Sequence, residues 1–124
     1  MASIVQAPQG ASGWLVACLC AEWCGTCRDY RAAFDGVAGG HPEVAFVWVD
    51  VEDDARWMGD IDVENFPTLL IASDAEVRFF GTMLPHPEQL TRLIASVRVH
   101  HGVVAGDDDL PALLGHLRDA LERH

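Results

Sequence analysis

Apolar residues along the chain occur in two kinds of stretch. Some are uninterrupted runs, which are typical of buried strands; in others the apolar residues recur every three or four positions, as in helices with one buried face. The runs predict strands at 14–21, 44–49, 66–72 and 76–80. The spaced stretches predict helices at 26–37, at 55–59, from Pro87 onward, and over a leucine-rich segment of about 108–123.

The first three main elements follow one another as strand, helix and strand with short connections. Such a unit implies two parallel neighbouring strands and a right-handed crossover helix. The next two strands flank the turn Ser73-Asp74-Ala75 and are expected to pair antiparallel. Residues 1–13 are small and polar, which predicts a loose lead-in or at most a short edge strand. The pattern therefore predicts an α/β fold with both kinds of strand pair.

Length and charge limit the classes of protein to consider. The chain has 124 residues, half of them apolar, which fits a single domain over 1–124 with a hydrophobic core. Its net charge of −11 argues against nucleic acid or an anionic membrane surface as a partner. The apolar runs are too short to cross a bilayer. Residues 1–13 have neither the basic N-terminal region nor the long apolar segment of a secretory signal. A cytoplasmic location is therefore expected.

Four cysteines in such a chain favour catalysis, redox chemistry or metal binding over a disulfide scaffold. Two of them, Cys24 and Cys27, open the first predicted helix. Unpaired amide groups and the helix dipole favour an anion there, so this position is expected to lower the pKa of Cys24. Because a thiolate is the nucleophile in disulfide exchange, the pair can interconvert between dithiol and disulfide.

The other two cysteines, Cys18 and Cys20, lie in the first predicted strand. Free cysteine is among the most buried residue types, so both are expected to be inert buried thiols, with a back-up redox role for Cys18 as the alternative. All four thiolates together are a candidate metal site. Their spacing does not match a zinc ribbon, and a strand followed by a helix is poor geometry for tetrahedral ligation. No metal and no organic cofactor are predicted.

Two segments of the chain carry a family resemblance. The segment Trp23-Cys24-Gly25-Thr26-Cys27 resembles the Trp-Cys-Gly-Pro-Cys active site of thioredoxins. The later segment Phe66-Pro67-Thr68-Leu69 is similar to the Ile-Pro-Thr-Leu segment of that family. The resemblance covers roughly residues 14–98. It implies a thioredoxin-like three-layer sandwich, a central mixed sheet flanked by helices, with a shortened N-terminus and an additional C-terminal helix.

The resemblance also implies a function, thiol–disulfide exchange with partner proteins. Cys24 would be the exposed attacking thiol and Cys27 the buried resolving thiol. A cis peptide bond before Pro67 would let the backbone of Phe66 pair with an extended substrate segment; the alternative is a trans proline in an ordinary turn. The substrate-binding residues implied in this way are Trp23, Gly25, Thr26, Phe66 and Pro67, although Trp23 is equally explained as a core aromatic residue.

The implied partners are proteins that carry a disulfide or a dithiol, and a redox protein that recycles the oxidised form. The protein is expected to be a monomer or a weak dimer. A second hypothesis is a redox-sensing or scaffold module with little turnover, in which the leucine-rich helix face binds a partner; otherwise that face covers the sheet. The chain departs from the family at Cys18, where most thioredoxins have a buried Asp, and at Thr26, which replaces the proline between the cysteines.

Overall fold

A computed structural model of the chain describes residues 3–10, 13–21, 25–53, 56, 67–74, 76–82 and 86–123. Its strands are β1 (Ser3–Gln6), β2 (Trp14–Cys20), β3 (Ala45–Asp50), β4 (Thr68–Ser73) and β5 (Glu76–Thr82). Its long helices are α1 (Gly25–Gly39), α2 (Pro87–His100) and α3 (Asp109–Arg123). In the described part of the chain, no helix is both long and apolar enough to span a membrane.

The five strands form one mixed sheet in the order β1-β3-β2-β4-β5. Strands β2 and β3 are parallel and are connected through α1, which confirms the predicted strand–helix–strand unit. Strand β4 is antiparallel to β5, as the turn between them predicted, and it is also antiparallel to β2. Strand β1 is antiparallel to β3 at the sheet edge, so residues 3–6 form the short edge strand.

Helices cover both faces of the sheet and make three layers. Because successive side chains of a strand point to opposite faces, the residues of β2 divide between two cores. The core that contains Cys18 and Cys20 is closed by α1 and α2. The opposite core is closed by α3 through Leu110, Leu113, Leu114 and Leu117. The leucine-rich face of α3 therefore covers the sheet and is not free to bind a partner.

A set of hydrogen bonds attaches α3 to the start of β2 and to the β4–β5 turn. The Arg118 guanidinium donates to the carbonyl oxygen of Gly13 at 2.7 Å and to that of Asp74 at 2.9 Å. The Asp74 amide also donates to the Gly13 carbonyl, at 2.9 Å. Gly13 has a φ of +78°, and the Asp74 carboxylate occupies the space that a Cβ on Gly13 would need. Only glycine suits this position without strain.

Some element boundaries differ from those predicted. Strand β5 was predicted to end at Phe80, but Gly81 pairs with Leu69 and the strand continues to Thr82. Strand β4 begins at Thr68, and the predicted strand residue Phe66 lies outside the described residues. The predicted helix at 55–59 also lies outside them, apart from Arg56.

Candidate active site

Cys27 lies in the first turn of α1, on the side of the helix that faces the sheet. Residues three and four apart share one face of a helix, so Cys27 is aligned with Tyr30 and Phe34 toward the core. The Cys27 side chain is only 1% exposed, whereas its neighbours Gly25 and Thr26 are exposed. The helix therefore buries one cysteine of the Cys-x-x-Cys motif against the end of β2.

Cys27 is joined there to Cys20 by a disulfide bond. Cys20 is the last residue of β2 and points to the face that α1 covers. The Cα atoms of the two residues are 5.8 Å apart, within the range that disulfides span. Cys18 lies two residues earlier on the same face, and its Sγ is 3.6 Å from the Sγ of Cys20. Three of the four cysteines thus form one buried cluster beneath the start of α1.

The other predicted site residues are only partly described. Trp23, Cys24 and Phe66 lie outside the described residues. Because Cys27 is bonded to Cys20, the predicted disulfide between Cys24 and Cys27 is not the one this structure contains. Gly25 and Thr26 form the exposed start of α1.

Pro67 lies at the same end of the sheet as the disulfide. It is buried and directly precedes β4, whose first residue Thr68 pairs with Leu19 of β2. Since Cys20 follows Leu19, the register brings Pro67 to the end of β2 that carries Cys20. Cys27 and Pro67, which are forty positions apart in the chain, therefore lie at the same end of the sheet.

A cavity of about 350 Å³ opens beside Cys27. One wall carries Arg31, whose guanidinium lies 5.1 Å from the centre of the Trp48 ring and whose Nε donates to the Asp35 carboxylate at 3.2 Å. The lining residues are Ser3, Ala21, Cys27, Arg28, Arg31, Trp48, Asp50 and Asp53. Charged side chains of both signs therefore line an approach to the Cys27 sulfur, which is otherwise buried.

Burial controls the protonation of the groups around the disulfide. It raises the pKa of the Cys18 thiol well above its ordinary value, and the positive charge of Arg31 opposes this only in part. Burial, with the Cys18 charge as a second cause, likewise raises the pKa of the Tyr30 hydroxyl. Both groups are neutral near pH 7. A thiol that stays protonated is a poor nucleophile, which favours the interpretation of Cys18 as inert over a back-up redox role.

Comparison with known proteins identifies the family, because the thioredoxin family model matches residues 3–95. The chain belongs to the thioredoxin family. The thioredoxin-like protein CXXS1 of Oryza sativa is 29% identical over 90 residues, which are 71% of this chain and 65% of that protein. A thioredoxin of Chlamydia trachomatis is 28% identical over 85 residues, 68% of this chain and 83% of its own length.

Solved structures of thioredoxins share the fold. Oxidised mitochondrial thioredoxin 3 of Saccharomyces cerevisiae matches with a TM-score of 0.61 and 24% identity, over 68% of this chain and 79% of that one. Thioredoxin f2, in a complex with ferredoxin:thioredoxin reductase, matches with a TM-score of 0.63 and 19% identity, over 71% and 80%. Membership of the thioredoxin family supports thiol–disulfide oxidoreductase activity.

The pairing within the cysteine cluster was not predicted. The expectation that Cys20 is an inert free thiol is wrong in this structure, because Cys20 is bonded to Cys27. The available signal was the two-residue alternation that puts Cys18 and Cys20 on one strand face, combined with the helix face on which Cys27 lies. In the part of the chain that the structure describes, no group of three or more Cys, His, Asp or Glu side chains is arranged to hold a metal ion.

The raised pKa of Cys18 predicts a loss of stability at alkaline pH. In the unfolded chain a cysteine ionises near pH 8.5, whereas folded Cys18 stays protonated. The unfolded state then binds fewer protons, so the free energy of unfolding falls by about 1.4 kcal/mol per pH unit above about pH 8.5. Tyr30 adds a second loss above about pH 10 for the same reason.

Urea unfolding of the wild type and Cys18→Ala between pH 7 and 10 measures this effect. The difference in unfolding free energy between the two proteins is expected to be constant up to about pH 8 and then to shrink as the wild type loses stability. A difference that stays constant to pH 10 would mean that Cys18 ionises equally in both states.

Proposed function

We propose that the protein exchanges disulfides with partner proteins through Cys24 as the attacking thiol and Cys27 as the resolving thiol. The observation that supports these roles is the position of Cys27. It is buried in the first turn of α1, at the sheet end that carries Pro67, and it is engaged in a disulfide with a neighbouring cysteine. Cys24, three residues earlier, precedes the helix and is the motif's other thiol.

The exchange proceeds in two steps. The Cys24 thiolate attacks a disulfide of the partner, which forms a mixed disulfide and releases one partner sulfur as a thiolate. The Cys27 thiolate then attacks the Sγ of Cys24, which breaks the mixed disulfide and releases the second partner thiolate. The partner gains two electrons and two protons, and the protein is left with a disulfide. Because Cys27 must be free for the second step, the Cys20–Cys27 bond has to be opened first.

The proposed substrates are proteins that present a disulfide in an extended segment. The exposed start of α1 at Gly25 and Thr26 adjoins Cys24 in the sequence and offers contact surface. Across from it, a cis peptide bond at Pro67 would free the backbone of Phe66 for pairing with that segment. Trp23 would border the same surface.

Recycling requires a second redox protein. Thioredoxin f2, a structural neighbour, is found in complex with ferredoxin:thioredoxin reductase, and we propose a reductase as the partner class here as well. Because recycling needs reducing equivalents, we also propose a reducing compartment such as the cytoplasm.

A redox-sensing module with little turnover is the second candidate function. The Cys20–Cys27 bond favours it, because this bond occupies the cysteine that the second exchange step needs. The two candidates differ in turnover rate. A sensor reduces insulin slowly even when a reductant such as dithiothreitol is in large excess.

Substitution of the two motif cysteines tests the assigned roles. Cys24→Ser is expected to lower insulin reduction by at least about 10³-fold, because it removes the nucleophile. Cys27→Ser keeps the nucleophile but cannot resolve the mixed disulfide, so covalent complexes with substrate accumulate. Non-reducing electrophoresis and mass spectrometry detect these complexes, and Cys18→Ala is the control that keeps both steps. Equal trapping by both serine variants would show that the roles are assigned wrongly.

A further inference from the structure

The proposed exchange through Cys24 and Cys27 gives no role to Cys20. Cys20 is 1% exposed, stands outside the Cys-x-x-Cys motif, and is bonded to Cys27. We propose that Cys20 is a second resolving cysteine. It replaces Cys24 as the disulfide partner of Cys27, so that Cys24 is a free thiol in the oxidised protein. This inference rests on the proposed exchange at Cys24 and Cys27.

The chain places both partners of Cys27 within one short segment. Cys20 and Cys27 are seven residues apart, and Cys24 lies in the loop that their bond closes. The strand holds Cys20 on the face covered by α1, and the first turn of α1 holds Cys27 against it. In the bonded state the two Cα atoms are 5.8 Å apart, within the usual range for disulfides, while Cys20 stays in the strand and Cys27 in the helix.

The proposed step is an isomerisation of disulfides with no net oxidation. The Cys20 thiolate attacks the Sγ of Cys27 in the Cys24–Cys27 disulfide. The Cys20–Cys27 bond forms, the Cys24–Cys27 bond breaks, and Cys24 leaves as a thiolate. The proton that Cys20 loses is balanced by the proton that Cys24 takes up.

The surroundings of Cys20 support this step. The Sγ of Cys18 is 3.6 Å away, but burial raises the pKa of that thiol and keeps it protonated, so Cys18 does not compete with Cys20 for Cys27. The cavity that reaches Ala21 and Cys27 gives protons a polar route.

The step changes what the oxidised protein can do. With Cys27 bound to Cys20, Cys24 still attacks a disulfide, but no internal thiol resolves the mixed disulfide that forms. Release then needs an external low-molecular-weight thiol such as glutathione. The oxidised protein therefore acts as a monothiol that forms mixed disulfides, whereas the reduced protein acts as a dithiol reductase.

Mapping of the oxidised wild type tests the proposal directly. The reduced protein is oxidised with one equivalent of diamide and alkylated with iodoacetamide without denaturant, and non-reduced peptides are then identified by mass spectrometry. We expect a Cys20–Cys27 peptide and an alkylated Cys24. A Cys24–Cys27 peptide as the main product, with Cys24 unlabelled, would overturn the proposal.

Cysteine variants test whether Cys20 is the residue that leaves Cys24 free for alkylation. Cys20→Ala is expected to lower Cys24 alkylation in the oxidised protein at least about tenfold, because Cys24 stays paired with Cys27. The matched control Cys18→Ala, two residues away on the same strand face, is expected to keep the label. Cys20→Val serves as a second variant in case alanine loosens the core. Equal labelling of Cys24 in the wild type and both Cys20 variants would contradict the proposed role.

Failure of this inference differs from failure of the proposed function. The disulfide map needs no turnover, so a wild type that does not reduce insulin but forms Cys20–Cys27 would contradict only the exchange with partners. A wild type that reduces insulin and forms only Cys24–Cys27 would contradict only the role of Cys20. In Cys24→Ser, the proposal expects diamide to form the Cys20–Cys27 bond.

Discussion

Replacement of Leu113 and Leu117 by alanine is expected to lower the free energy of unfolding by about 4–8 kcal/mol. Both side chains are 0% exposed and lie between α3 and the sheet. Each substitution removes buried apolar groups and leaves a cavity beside strands that cannot move together to fill it. A loss of this size approaches the whole stability of a small domain, so the double variant is expected to be largely unfolded.

Urea unfolding followed by circular dichroism measures this loss, and Gly115 of the same helix provides the control. Among the described residues, no atom outside the adjoining backbone of α3 lies within 4 Å of a Cβ added at Gly115, so Gly115→Ala is expected to stabilise the protein by about 0.5–1 kcal/mol. If the double leucine variant loses less than about 1 kcal/mol, α3 is not held on the sheet in solution. Its leucine-rich face would then be available to a partner after all.

Phe34→Ala is expected to cost about 3–5 kcal/mol of unfolding free energy and to impair disulfide exchange. Phe34 is fully buried between α1 and the sheet. Its ring centre is 5.3 Å from that of Phe46 and 5.6 Å from that of Trp48, both edge-on. Because α1 also carries Cys27, loss of this anchor loosens the helix that holds the resolving thiol.

The conservative variant Phe34→Leu separates ring contacts from simple burial. It keeps most of the buried volume and is expected to cost about 1.5 kcal/mol or less, with exchange activity close to the wild type. Insulin reduction at a temperature where both variants are folded, together with urea unfolding, measures the two effects. Equal losses for the alanine and leucine variants would mean that buried volume alone does not hold α1 in place and that the ring contacts with Phe46 and Trp48 are required.

The C-terminal helix shows how this thioredoxin-family chain completes its fold. The family match ends at residue 95, and α3 begins at Asp109, so the helix lies outside the matched region. It nevertheless supplies four buried leucines to the core that α1 and α2 do not reach. Within the described residues, α3 is therefore part of the layered structure, and Arg118 attaches it to both Gly13 and Asp74.

Most of the element pattern was predictable because it depends on neighbours in the chain. The apolar run before Cys24 predicted β2, and the spacing of Cys27, Tyr30 and Phe34 predicted the buried face of α1. The strand–helix–strand order with short connections then predicted that β2 and β3 are parallel neighbours joined by a crossover helix, and they are parallel. The motif cysteines and the Pro67 segment were readable in the same way, and the family match confirmed the family that they indicated.

Residues close together in the chain were enough to predict the α/β class, the order of the main elements, the family, and the place of Cys27 in the first turn of α1. Contacts in the folded protein were needed to show that α3 covers the sheet face opposite α1 and that Cys20 is bonded to Cys27. Both of these findings depend on packing between elements. Periodicity shows that a side chain is buried, but what it is buried against depends on contacts between segments that are distant in the chain or lie in different elements.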